Sequence, residues 1–414
     1  YKLDSYWMQF GQIEGTAAYN YIPLDGQLSL ANNRRPGNPS TFNLQPGAEL
    51  IIGGSTPLNM LGLDIAYQTR DYDDYYGWSG KKISNWKFGQ MINSCSAVTT
   101  NEGTINLTIH ANAWYFLSFP CDITLREILH STGADFVVRE YDGATRAAEG
   151  IGNSWKDLSS NTVLKAGKGY IIRTNQDGNL YIPISTQGCT QILDNKNRIL
   201  TPIAHKSAQP ENVGWNLLGN PWTSYYDLSV SDITTTIQTY NTYNNTYEAY
   251  SLLDDHVVLH PGQAFFMQQP EDGTITLPTE GRCFSSNGIE SPMKINGTME
   301  SNRLLFDLTL SGMNASDRTR IVINPNSKQE YEIGIDAAKF FPETDDYSAI
   351  YSLDNNGNSM AINERPLSDG RVPLIFENSV PGIYTLSANR TDGVISILDL
   401  TTGNSTRLDE GDSM

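Results

Sequence analysis

This sequence predicts an all-β fold of tandem antiparallel β-sandwich modules, two of them copies of one unit. Three observations carry the prediction. Apolar residues recur two apart in short runs that end at Gly, Pro or Asx turns, as in Trp114-Tyr115-Phe116-Leu117-Ser118-Phe119-Pro120. Only 18% of the 414 residues are charged, against about 25% in typical domains, while 22 Tyr, 13 Phe and 7 Trp suit pleated, half-buried surfaces. A segment of about 100 residues also occurs twice, which is the signature of repeated modules. The apolar fraction of 39% leaves out 35 Gly and is that of a globular chain, not a disordered one.

The duplication rests on anchors in one order. Ala113-Trp114 through Pro120 aligns with Gly214-Trp215-Asn216-Leu217-Leu218-Gly219-Asn220-Pro221, with Trp and Pro both displaced by 101 positions. Lys165-Ala166-Gly167-Lys168-Gly169-Tyr170-Ile171-Ile172 aligns with His260-Pro261-Gly262-Gln263-Ala264-Phe265-Phe266-Met267 at an offset of 95, as do Asp177-Gly178 with Asp272-Gly273 and Pro183 with Pro278. Between them, Val137-Val138-Arg139-Glu140-Tyr141 corresponds to Ile237-Gln238-Thr239-Tyr240 with a small gap. Pro120 and Pro221 remove a ladder donor and end their strands. Asp142-Gly143 and Asn244-Asn245 read as turns between short strands, and Asp177-Gly178 turns the next strand into Leu180-Tyr181-Ile182-Pro183. Leu125 to Leu129 and Ser231 to Thr236 each suit one helical turn.

Four segments follow: 1–105, a β-rich N-terminal domain; 106–205, copy 1; 206–290, copy 2; and 291–414, a C-terminal antiparallel module that reads as truncated. In the first, Leu28-Ser29-Leu30, Phe42-Asn43-Leu44 and Glu49 to Gly54 fit a flattened sandwich better than irregular rungs of a β-solenoid. In the last, Asn302 to Leu310, Thr319 to Asn324 and Val394 to Leu400 alternate as strands. The start at Tyr1 and the end at Met414 read as those of a fragment.

The paired Trp-to-Pro strands and the Lys165 to Tyr170 and Pro261 to Phe266 turns resemble large secreted or cell-surface proteins of the Bacteroidetes. The tail, through Gly334-Ile335-Asp336-Ala337-Ala338-Lys339, Ile350-Tyr351-Ser352, Met360 to Asn363, Val372-Pro373-Leu374 and Gly382 to Leu386, resembles the β-module that precedes a C-terminal sorting region in such proteins. The resemblance covers about residues 105 to 410 and implies export to the cell exterior or outer-membrane surface.

Composition and motifs restrict the chemistry. With 28 Lys and Arg against 46 Asp and Glu, the formal charge of −18 supplies no cationic footprint for nucleic acid. No run approaches the roughly 18 to 20 apolar residues of a membrane helix, so no membrane insertion is expected. His110, His130, His205, His256 and His260 are scattered without an H-E-x-x-H, and Cys95, Cys121, Cys189 and Cys283 lack any C-x-x-C spacing; the expectation is no metal, no cofactor and buried thiols instead of a disulfide framework. A nucleophile elbow, a Walker loop and a dinucleotide fingerprint are all missing. Some pair among so many carboxylates must lie close, and proximity alone makes no glycosidase.

The candidate ligand site is Asp71-Tyr72-Asp73-Asp74-Tyr75-Tyr76-Gly77-Trp78, the densest run of rings and acids. Sugar faces need flat rings and carboxylates for hydroxyls, so Tyr72, Tyr75, Tyr76 and Trp78 with Asp71, Asp73 and Asp74 suit a saccharide, although the same rings also suit cover of a neighbouring module. Asp354-Asn355-Asn356-Gly357-Asn358 starts like a calcium loop, but Arg365 stands where a bidentate Glu is required, so an Asx-rich turn is expected. The sequons at Asn106, Asn244, Asn296, Asn314, Asn389 and Asn404 carry meaning only in a eukaryotic source. The expected function is a non-catalytic extracellular protein, adhesin-like or a stalk that meets glycans or host and cell-surface proteins. The alternative is a carbohydrate-binding accessory protein of a surface polysaccharide-utilisation system.

Overall fold

Alternation of large apolar and polar residues makes strands here almost throughout, and the one α-helix among the described residues is Gly143–Glu149. The computed structural model describes residues 2–3, 6–10, 22–24, 27–29, 41–44, 49–54, 58–71, 84–93, 98–150, 152, 154–184, 195–242, 245–289, 302–312, 316–342, 347–368, 370–379 and 381–414. The fold is all-β.

The N-terminal strands combine antiparallel pairs, Tyr6–Phe10 with Glu49–Gly54 and Ile22–Leu24 with Gln27–Ser29, with parallel ones. Thr41–Leu44, Leu58–Asp71 and Val98–Ile109 lie side by side in parallel, Phe42 beside Leu63 and Leu63 beside Gly103. Glu49–Gly54 and Gln90–Asn93 form a second parallel ladder. Parallel neighbours require the chain to travel around and return in the same direction, as in stacked rungs. Leu63, Ile65, Tyr67, Ile105, Leu107 and Ile109 turn to one buried face, the period-two outcome of that pleat. Val98–Ile109 runs through residue 105 and pairs antiparallel with Gly178–Pro183 of copy 1, Leu107 opposite Leu180, so both segments share one core.

Each copy contains a four-stranded antiparallel sheet, and the two sheets have the same order. In copy 1 it is Tyr115–Ser118, Gly169–Thr174, Phe136–Tyr141, Trp155–Asp157; in copy 2 it is Trp215–Gly219, Ala264–Gln268, Thr236–Asn241, Thr246–Ser251. The registers agree as well. Leu117 faces Tyr170 as Leu218 faces Phe265, and Val138 faces Ile172 as Ile237 faces Met267. Trp114 and Trp215 are both buried.

Three local expectations change. Asp142-Gly143 is not a hairpin turn: Asp142 is the N-cap of the helix, its carboxylate accepting from the backbone N–H of Ala144 and the hydroxyl of Thr145. The helical turn of copy 2 is the 3-10 segment Leu228–Val230, not 231–236, because Asp227 caps it by accepting from the Ser229 N–H. Its counterpart in copy 1 spans Leu125–Glu127. The cysteines also depart from expectation, since Cys121 is fully buried and disulfide-bonded, with a partner outside the described residues. Cys283 is free.

The C-terminal sheet runs Leu374–Asn378, Ser348–Leu353, Ser359–Arg365, Ser316–Ile323, Leu304–Ser311, Thr385–Thr391, with Ala337–Ala338 also against Ser359–Arg365. Residues 411–414 pair back onto the last strand: Met414 and Leu386 exchange backbone hydrogen bonds at 2.9 and 3.0 Å. Buried polar contacts fix this sheet on copy 2. Arg303 grips both oxygens of Asp254 at 2.7 and 2.9 Å and also Glu364, while Arg320 grips both oxygens of Asp255 at 2.8 and 2.9 Å and also Asp307. Two-pronged charge-assisted bonds hold orientation as well as distance.

The N-terminal segment meets copy 2 through mixed contacts. Thr223 and Met91 exchange bonds, Met91 N–H to the Thr223 carbonyl at 3.0 Å and the Thr223 hydroxyl to the Met91 carbonyl at 3.0 Å. Gln90 donates to the Phe284 carbonyl at 3.1 Å and Arg282 to that of Asn93 at 2.8 Å. Beside them the His260 ring stacks on Phe88 at 4.9 Å, its Nδ1 against the Pro261 carbonyl at 2.9 Å. Burial depresses this imidazole from 6.5 to about 4. The unfolded chain takes up the proton near pH 6.5 and the folded chain refuses it until about 4, so this contribution is complete above 6.5 and is lost as pH falls through that window. The shift corresponds to about 3 kcal/mol at its limit. Between pH 7.5 and 5, wild type is expected to lose about 2 kcal/mol more than His260→Asn in urea titrations; equal losses would show that His260 does not govern the acid limb.

Candidate functional site

The strand Leu58–Asp71 ends at Asp71, and its last residues pair antiparallel with Ser84–Phe88, from Tyr67 opposite Phe88 to Asp71 opposite Ser84. Tyr72, Asp73, Asp74, Tyr75, Tyr76 and Trp78 lie outside the described residues, and of Asp71 only the backbone is described. Asp71 and Ser84, the described residues on either side of this run, therefore lie side by side where the antiparallel pair leaves the parallel sheet.

A second group of rings around a carboxylate stands on the C-terminal module. Strand periodicity turns Tyr347, Ala349 and Tyr351 to one face, and the antiparallel register sets Glu377 opposite Ala349. Ala349 is small, so Glu377 can accept from both flanking phenols, Tyr347 at 2.7 Å and Tyr351 at 3.1 Å. Phe341 packs edge-on against both tyrosines, with centroids 6.0 and 5.5 Å away. The bond to Glu377 pushes the Tyr347 hydroxyl up to about 12; burial, then Glu377, raises Tyr351. Glu377 is exposed. Sequence reasoning missed this group because its residues are local in space only. The one legible signal was the alternation of Tyr347 and Tyr351.

Other chemistry-bearing residues are committed to structure. Asp227 accepts from the N–H groups of Ser229 and Ile289, at 2.9 and 3.0 Å, and meets His256 Nε2 at 2.8 Å. Burial opposes its ionisation, but these hydrogen bonds outweigh burial and hold the carboxyl below its ordinary range. This pins the segment that leaves copy 2. Burial pushes the Cys283 thiol up to about 11, leaving it neutral and a poor nucleophile at pH 7. Desolvation raises Asp336 to about 7, a value suited to a general acid, yet its oxygens accept from the backbone of Glu332 and Glu364 and it is 1% exposed. No substrate reaches it in this conformation.

The calcium-like loop is an Asx turn. Asp354 accepts from the N–H groups of Asn356 and Asn358 at 2.9 and 2.8 Å and from the Asn358 amide at 2.8 Å, while Gly357 takes the φ of 85° that the turn requires. Among the described residues no group of three or more His, Cys, Asp or Glu is arranged to hold a metal ion. Among the described residues no helix is long and apolar enough to cross a membrane. Comparison with protein-family models, curated proteins and solved structures finds no match.

Proposed function

We propose that the chain is a non-catalytic extracellular protein of the cell surface, adhesin-like or a stalk, in which the β-modules act as one rigid support. The observation that carries this reading is an aromatic core contributed jointly by copy 1 (Trp114, Phe116), copy 2 (Trp215, Phe266) and the C-terminal module (Phe340), clamped at its edge by Arg303 and Arg320. Domains that must move keep small polar interfaces, whereas these segments share one buried aromatic cluster. The disulfide at Cys121 supports an oxidising compartment outside the cytosol. The committed state of Asp227, Cys283 and Asp336 supports a role without catalysis.

The Tyr347, Tyr351 and Glu377 group favours a second reading, carbohydrate binding, since it offers rings and a carboxylate on one face. A glycan and insoluble-polysaccharide screen of the whole chain tests both. Binding abolished by Tyr347→Ala with Glu377→Gln would establish the second reading at this group; binding abolished instead by alanine at Tyr72, Tyr75, Tyr76 and Trp78 would establish it on the N-terminal run. Two stacked rings contribute on the order of 1 kcal/mol each, so the screen needs a multivalent format. Capture of host surface proteins with no glycan bound supports the adhesin reading, and capture of neither leaves the stalk.

A further inference from the structure

We infer that copy 1 and copy 2 form an internal two-fold dimer: one self-complementary face of the repeated unit is its docking surface, and the partner it fits is a second copy of the unit. A two-fold interface is recognised by reciprocity, residue i meeting j′ wherever j meets i′. With offsets of 101, 99 and 95 along the successive strands, the backbone contacts between the facing edges occur in mirrored pairs. The Ser118 N–H donates to the Gly262 carbonyl at 2.8 Å, and the Gly219 N–H donates to the Gly167 carbonyl at 3.0 Å. Leu117 bridges Gln263 and Leu218 bridges Lys168, both antiparallel. The hydroxyl of Thr242 donates to the Trp114 carbonyl at 3.0 Å, while its counterpart Gly143 lies against the Trp215 carbonyl, leaving no room for a Cβ.

The axis itself is marked by residues that meet their own equivalents. Ser118 faces Gly219, where an added Cβ would stand 2.1 Å from that of Ser118. Gly169 faces Ala264, where an added Cβ would stand 2.9 Å from that of Ala264. Each pair supplies one side chain, Ser with Gly and Gly with Ala, although at Gly169 an added Cβ would also stand 2.5 Å from Leu217 Cγ. Copy 1 against copy 1 would oppose two serines, and copy 2 against copy 2 would oppose two alanines. The face has thus diverged so that unlike copies fit and like copies clash, a repulsive element of the kind that sets pairing specificity.

The test uses the whole chain and exchanges residues across the axis. G219S alone should lower the melting temperature by on the order of 5 °C or abolish folding, because close-packed strands leave the new side chain no space. The double exchange S118G/G219S places the same side chain on the other side of the axis and should return the melting temperature to within about 2 °C of wild type. G169A should also destabilise, and A264G should relieve only part of its loss, because the new Cβ still meets Leu217 Cγ at 2.5 Å. An S118G/G219S exchange as damaging as G219S alone would overturn the two-fold assignment, as would a G219S variant that melts like wild type.

Discussion

Replacing Lys339 with Met is expected to destabilise the protein by about 3 to 5 kcal/mol. The Lys339 ammonium meets both oxygens of Asp317 at 2.6 Å, and the two side chains are 2% and 1% exposed. Asp317 has one further donor, the Ile350 N–H at 2.7 Å. Removing the ammonium leaves a fully buried carboxylate with the Ile350 N–H as its remaining donor, where water cannot replace the lost partner. The pair itself is a different quantity. Lys339→Met combined with Asp317→Leu removes both charges, so the double variant should recover most of the loss, short of about 1 to 3 kcal/mol for the stranded Ile350 N–H. Urea unfolding of wild type, both single variants and the double variant closes the cycle; a Lys339→Met midpoint equal to wild type would show that the contact is not buried in solution.

Trp215→Ala carries the second large effect, about 3 to 5 kcal/mol. The indole is 1% exposed, donates to the Glu211 carbonyl at 2.8 Å, and packs 4.6 Å from Phe340 of the C-terminal module. The Arg146 guanidinium, from the helix of copy 1, lies 5.9 Å over the same ring and 4.9 Å over Phe340. One truncation therefore opens a cavity where three segments meet and withdraws a cation–π partner from a buried arginine. Trp114 is 7% exposed and covered by Arg139 and Arg173, so Trp114→Ala should fall toward the lower end of that range. A Trp215→Ala variant within about 1 kcal/mol of wild type would contradict the shared core.

What could be read from the residues, and what could not, follows from range. Alternation is local, so Trp114 to Pro120, Leu304–Ser311 and Ser316–Ile323 are legible as strands, and two equal alternations displaced by 101 positions are legible as copies. Register is not local. Nothing near Glu377 announces that it will lie opposite Ala349, and nothing in the spacing of Phe42, Leu63 and Gly103 shows that they will stack in parallel, because the hairpin after Tyr67 interrupts the rung. Asp142-Gly143 satisfies the composition of a turn and of a helix N-cap equally, and only Thr145 favoured the cap. The residues proposed from sequence for ligand binding fall almost wholly within 72–83, outside the described residues.

The reach of Arg282 and Gln90 across nearly half the chain bears on the order of events during synthesis. A nascent chain emerges N-terminus first, and the strand Gln90–Asn93 appears long before Thr223, Arg282 and Phe284, which complete its bonding. Glu49–Gly54 can pair with one edge of that strand early, but until residue 284 is free to fold back its other edge faces water or another nascent chain, and no local turn can shorten the wait.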